Sequence, residues 1–168
     1  MFDRRVERQQ DGRYALQLAD DERALLRSLP DQLLELLETD DPSLARLFPP
    51  AYAAIDDGEH QDEYQRLMGS DLADSHRAAL RTLRDTVDAA FLSEEDLGAW
   101  LAAINEFRLV LGTQLDMGEQ DSNDIDIEVA DIDVPDIDVA DPRAPGLALY
   151  YYLSSLQEDL VQAATEAL

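Results

Sequence analysis

The chain contains no cysteine and no lysine. The first absence excludes structural disulfides, thiolate metal sites, cysteine nucleophiles and thiol redox switching within the chain. The second excludes Schiff-base chemistry and a phosphate-loop lysine, because all 13 basic residues are arginine. Histidine is scarce, with only His60 and, on a helix face where an imidazole more often bonds a carbonyl or carboxylate, His76. His60 and Glu63 make a single ligand pair, too few for an N/O metal site without help from elsewhere in the chain. No G-x-S-x-G element, glycine-rich phosphate loop or paired-histidine motif occurs, and acidic residues are too numerous for one catalytic carboxylate pair to stand out. The expectation is a protein without enzymatic activity, cofactor or metal. No run approaches the ~20 apolar residues of a membrane span, and the opening MFDRRVERQQ has no apolar signal core. A cytoplasmic location and no membrane partner are therefore expected.

What the chain has in excess is negative charge: 38 acidic residues and a formal net charge of -25. Such a field repels polyanions over most of the surface, so contact with DNA is disfavoured and would have to be local. Basic protein surfaces, in contrast, would be attracted quickly and in a salt-sensitive way. The charge is uneven, since Asp116 to Asp141 holds 11 acidic residues and no basic one. At 168 residues the chain suits one domain, long enough to bury roughly 70% of its unfolded surface without a staple.

The stretch from Leu92 to Met117, LSEEDLGAWLAAINEFRLVLGTQLDM, is the organising element. Ser93 is a good N-cap with Asp96 three residues on, and Glu94 and Glu95 place negative charge at the positive end of the helix dipole. One stripe runs Leu97, Leu101, Ile104, Arg108, Leu111, Leu115 and a second runs Trp100, Ala103, Phe107, Val110. Apolar groups thus cover more than half the circumference, which predicts a helix buried on most sides. Arg108 interrupts the first stripe. A guanidinium there needs a carboxylate or several carbonyls, so it is either one half of an internal ion pair or the base of a pocket for an anionic ligand or a partner's carboxylate.

Before this helix, Phe2, Arg4, Val6 and Tyr14, Leu16, Leu18 alternate with polar residues around Asp11-Gly12, predicting a hairpin over 1–19. Its arginines face acids close by in sequence, as cross-strand ion pairs would. Asp20 or Asp21 is expected to cap the next helix, whose Leu25, Leu26, Leu29, Leu33, Leu36 and Leu37 face inward, with Pro30 predicting a kink or break. Asp41-Pro42 then opens a short helix to about Leu47, ended by Pro49-Pro50. Two further helices, Glu59 to Met68 and Asp71 to Ala90, are expected to meet at Gly69-Ser70. Along the second, Arg77, Arg81 and Arg84 form a stripe, which with the glycine turn gives a weak helix-turn-helix suggestion and a candidate DNA or partner contact. Asp74, Asp85 and Asp88 stand three or four residues away, as on an ordinary salt-bridged solvent face.

The segment 118–144 is expected to be an acidic flexible loop. Within it DIDIEVADIDVPDIDVAD alternates acids with β-branched residues. Asp124, Asp126, Asp131, Asp133, Asp136 and Asp138 repel one another in any strand and Pro135 breaks the ladder, so disorder or an edge-strand peptide for a partner's sheet is expected. Neither the glycine nor the terminal glutamate of a calcium loop is in place. Residues 145–168 read as a last helix with Leu149, Leu153, Leu156, Leu160 and Ala163 inward, packed beside the central one.

The runs DGRYALQLADDERALLRSLPDQLLELLE, LARLFPPAY, LSEEDLGAWLAAINEFRLVLGTQLDM and ALYYYLSSLQEDLV resemble an actinobacterial family long filed as a domain of unknown function, described as the actinomycete oxidative-stress regulators. The resemblance spans nearly the whole chain, with the acidic segment longer than usual. It implies a transcription regulator working with a sigma factor, RNA polymerase or promoter DNA, linked to cysteine metabolism and to genes for a Clp adaptor. An acidic adaptor serving Clp proteolysis is the alternative. The family's cysteine-pair redox sensing has no counterpart here, and no functional residue carries over. The fold expected is a single mainly α, helical-bundle domain of five or six helices with a small N-terminal hairpin; whether it is a homo-oligomer is left open.

Overall fold

A computed structural model describes residues 4–48, 58–117 and 142–166, with the side chains of 58–68, 116 and 117 outside that description. The order is β1 (Val6–Arg8), β2 (Tyr14–Leu16), α1 (Asp20–Leu37), a 3-10 turn (Pro42–Leu44), α2 (Gly58–Thr86), β3 (Phe91–Leu92), α3 (Glu94–Met117) and α4 (Ala144–Thr165). The protein is mainly α, as expected, with a three-stranded antiparallel sheet at its N-terminal end. No helix among the described residues is long and apolar enough to cross a membrane.

α3 starts where the sequence says it should. The Ser93 hydroxyl accepts from the Asp96 amide at 3.0 Å while the Asp96 carboxylate accepts from the Ser93 amide at 3.1 Å, satisfying two donors that a helix start otherwise leaves open. Leu97, Trp100, Ala103, Ile104, Phe107, Val110 and Leu111 are all buried. α2 packs on one flank, α4 on another, and the 3-10 turn and β3 cover what remains. Trp100 keeps its indole N–H satisfied by donating to the Thr86 hydroxyl at 2.7 Å, which itself donates to the Thr82 carbonyl at 2.6 Å at the end of α2. In α4, Leu149, Leu153, Leu156, Leu160 and Ala163 are buried against this core, the stripe read from the sequence.

The hairpin is present with Val6 facing Leu16 and Arg8 facing Tyr14. Its turn is one residue longer than a two-residue Asp11-Gly12 turn. The Gly12 amide donates to the Gln9 carbonyl, the Gln9 amide donates to the Arg13 carbonyl, and Gly12 takes φ +86°, a type I turn closed by a left-handed glycine. Among the described residues the hairpin arginines make no ion pair across the strands, and Arg13 pairs with Asp11 inside the turn at 2.8 Å. Arg5 reaches Glu22 on α1 at 2.6 Å and Asp159 on α4 at 2.8 Å, and Arg4 pairs with Glu166, so these charges tie the sheet to two helices. The helix expected to reach Ala90 ends at Thr86, and Phe91 and Leu92 form β3, pairing with Ala15 and Tyr14.

Two expected interruptions do not occur, so the described residues hold four α-helices rather than five or six. α1 continues through Pro30, which is buried among its leucines. Proline removes one backbone bond, but Leu26, Leu29 and Leu33 on either side are fully buried, and that packing outweighs the local preference. The cap of α1 is also displaced: Ala19 is the N-cap, and its amide donates to the Glu22 carboxylate at 2.9 Å. α2 runs unbroken through Gly69-Ser70, so there is no helix-turn-helix. Among the described residues the only glycine at positive φ is Gly12, and a Cβ built on Gly69 would meet nothing within 4 Å.

This geometry separates the two readings of residue 69. Gly69→Ala should raise stability by roughly 0.5–1 kcal/mol in a denaturant titration, because a helix-interior glycine costs about that relative to alanine. A loss of stability would restore the turn between two helices.

Candidate functional site

The arginine stripe on α2 is where the sequence suggested a contact, and most of it is already engaged. Arg77 pairs with Glu38 at 2.9 Å and with Asp74 at 3.2 Å. Arg84 pairs with Asp31 at 3.1 Å and with Asp85 at 3.3 Å, and Arg27 on α1 pairs with Asp88. From Arg77 to Arg84 to Asp88 the partners step back along α1 from Glu38 to Asp31 to Arg27, by the same seven and four residues. The two helices therefore run antiparallel with one charge pair every one or two turns. Arg81, exposed between them, has no ion pair among the described residues. The stripe is a seam between α1 and α2 rather than an open cationic row.

A second polar cluster lies inside the fold. His76 on α2 presents Nδ1 to the Glu106 carboxylate of α3 at 2.7 Å and Nε2 to the Leu47 carbonyl at 3.1 Å, with Phe48 edge-on to the ring at 5.5 Å. A carbonyl can only accept, so Nε2 carries a proton, and a further proton is shared between Nδ1 and Glu106. The hydrogen bond to Glu106 raises the His76 pKa against burial, while burial raises that of Glu106 against the attraction of His76. Both directions have one meaning: the folded pair keeps its shared proton to a higher pH than either free group would. Glu106 is only 4% exposed and its second oxygen has no hydrogen-bond partner, which leaves its charge poorly compensated if that proton goes.

Sequence reasoning placed His76 on a helix face and missed Glu106 altogether. The signal was available: Ala99, Ala103, Glu106 and Val110 step 4-3-4 along one face, so an acid stood in an otherwise apolar row.

Arg108 is the third cluster, and the carboxylate expected for an internal ion pair is absent among the described residues. Nε donates to the Ser154 hydroxyl at 2.9 Å, Nη1 to the Gln157 side-chain oxygen and Nη2 to the Tyr150 hydroxyl at 3.4 Å, with the guanidinium 5.2 Å from the Tyr150 ring centre. All three partners are neutral and lie on α4. The groove between α3 and α4 can solvate a guanidinium this way because it is half-open, whereas a fully buried cation would need an anion.

Asp124, Asp126, Asp131, Asp133, Asp136 and Asp138 lie outside the described residues, as do the side chains of His60 and Glu63 and the Pro49-Pro50 helix stop. Among the described residues no three histidines or acids are grouped to hold a metal ion.

The profile of a domain of unknown function, DUF2017, matches residues 3–164. The chain is 28% identical over 197 residues, covering 94% of it and 85% of the relative, to the oxidative stress regulator AosR of Mycobacterium tuberculosis (strain ATCC 25618 / H37Rv), and to the same degree to the protein of that name from Mycobacterium bovis. No solved structure matches the chain.

The shared proton makes stability depend on pH in one direction. Both groups have folded pKa values above their unfolded ones, and the part contributed by His76 is complete below about pH 6.5, the ordinary imidazole value. That contribution is lost as pH rises through the raised value of His76. The stability advantage of the wild type over Glu106→Gln, followed by urea unfolding, should therefore shrink between about pH 6 and pH 9. A difference that stays constant or grows over that range would contradict the shared-proton assignment.

Proposed function

The chain belongs to the DUF2017 family, and from that membership we propose that it is a non-enzymatic regulator in the response to oxidative stress, acting by protein contact rather than by reading DNA or cycling a thiol. The names of its mycobacterial relatives support the regulatory role. The absence of cysteine rules out a thiol switch within the chain.

The observation that carries the mode of action is the pairing of Arg77 and Arg84 with Glu38 and Asp31. A groove-reading helix needs its cations free for phosphate and base edges. Here they are occupied by acids of α1 and α2, which DNA would have to displace before it could use them. With a net charge of -25 around them, a basic protein surface is the better-matched partner. RNA polymerase or its sigma factor is the partner this reading favours, and the Clp adaptor machinery is the second.

Removal of residues 119–140 tests this against direct DNA readout. Four residues would remain between Met117 and Ala144, enough for a helix-helix connection. The approach is short, since a Cβ built on Gly146 would lie 3.1 Å from the Leu115 side chain. If the acidic segment masked a DNA site on Arg77, Arg81 and Arg84, its removal would produce promoter-fragment binding at ~50 mM salt with a steep salt slope. The expected result is no retention of the fragments by either protein. Retention by the shortened protein would overturn the protein-contact reading.

A further inference from the structure

We infer that the flank of α3 and α4 around Arg108 is a docking surface for a partner-protein segment that presents one carboxylate among apolar side chains. The argument starts from what each polar group there has left to offer. A guanidinium has five N–H donors, and three of those on Arg108 go to Ser154, Gln157 and Tyr150. Ser154 has no donor left, because its hydroxyl accepts from Arg108 and donates to the Tyr150 carbonyl at 2.8 Å. Gln157 accepts through its oxygen and keeps its amide N–H groups. Tyr150 accepts at its hydroxyl and keeps the proton. This spot therefore offers two guanidinium N–H groups, the Gln157 amide and the Tyr150 hydroxyl as donors, around a positive charge that no described carboxylate neutralises. Its chemical complement is an anionic acceptor, and a planar carboxylate matches the guanidinium fork.

The surroundings point to a protein segment rather than a small anion. Tyr150, Ser154, Gln157 and Val161 step 4-3-4 along one side of α4, and Val161 is 46% exposed. Leu101, two turns before Arg108 on α3, is a partly buried member of the core margin. Tyr151, also 46% exposed, stands edge-on to Tyr150. Arginine and tyrosine flanked by exposed apolar groups is the composition of an interface centre. The stripe from Tyr150 to Val161 is roughly 16 Å long, about the length of five extended residues. Because the protein's net charge repels an acidic run, the segment that fits carries a single carboxylate rather than several. This deepens the protein-contact reading but can fail separately from it: DNA retention would sink that reading and leave this surface untouched.

The test uses the full chain and two capped pentapeptides, Ala-Ile-Asp-Val-Ala and Ala-Ile-Asn-Val-Ala, followed by NMR at the Arg108 Nε–H and the backbone amides of Tyr150 to Val161. The Asp peptide should shift both sets of signals, the Asn peptide should bind at least tenfold more weakly, and Arg108→Met should lose the response. Should Arg108→Met fail to fold, Tyr150→Phe and Gln157→Ala, which remove donors but leave the arginine, should each weaken binding of the Asp peptide severalfold. Absence of a response, or equal responses to the two peptides, would overturn the inference. So would inorganic phosphate reproducing the whole pattern including Val161, which would mark a small-anion site. A response seen only after removal of residues 119–140 would show that the chain's own acidic segment takes the place of a partner, and would overturn it as well.

Discussion

Burial of α3 around more than half of its circumference is the constraint that the rest of the fold answers. A helix with apolar residues around more than half its circumference cannot remain at a surface, and each large side chain it buries contributes roughly 1.5–3 kcal/mol. α2 and α4 cover two flanks, the 3-10 turn a third stretch and β3 the start. The sheet is too small to stand alone, and it is stable here because Val6, Tyr14, Leu16 and Leu92 belong to the same core. The two polar inclusions of α3 also follow from this arrangement. Glu106 and Arg108 are two residues apart and so point about 200° away from each other around the helix, one toward α2 and one toward α4. Each is met by side chains from the helix it faces.

An acidic protein with only 13 arginines uses many of them to join elements rather than to face outward. Arg5 links the sheet to α1 and α4, and Arg27, Arg77 and Arg84 seal α1 against α2. Arg23 donates to the Val87 and Ala89 carbonyls past the end of α2 and to the Leu16 carbonyl of β2, where the helix dipole also favours a cation. Each exposed pair is worth little alone, but the shared antiparallel register of three of them fixes how α1 lies on α2. Negative charge is thereby left to dominate what partners meet. Arg108, like Arg23, is a half-buried cation held by neutral groups.

Much of this was legible because it rests on short-range chemistry. The Ser93 and Asp96 exchange, the glycine-closed hairpin and the inward leucines of α1 and α4 all follow from spacing and residue type. What was not legible depends on tertiary packing. Pro30 and Gly69 look like breaks until the surrounding burial is known, since local propensity costs only about 1–3 kcal/mol and a packed face outweighs it. β3 is two residues long and exists only because β2 has an open edge beside it. Glu106 stands out as an acid in an apolar row of α3, but only the position of His76 on a different helix gives it meaning. For Arg108 the sequence offered an internal ion pair or an anion pocket, and no pattern could reveal that neutral groups of α4 would meet it.

The claim that α3 is the frame for everything else is tested most directly by native-state hydrogen exchange. The amides from Trp100 to Leu111 should open only with global unfolding, so that their exchange free energies equal the unfolding free energy and fall with denaturant at the same slope. Exchange of these amides through smaller local openings, while α1 or α4 stays protected, would contradict the account.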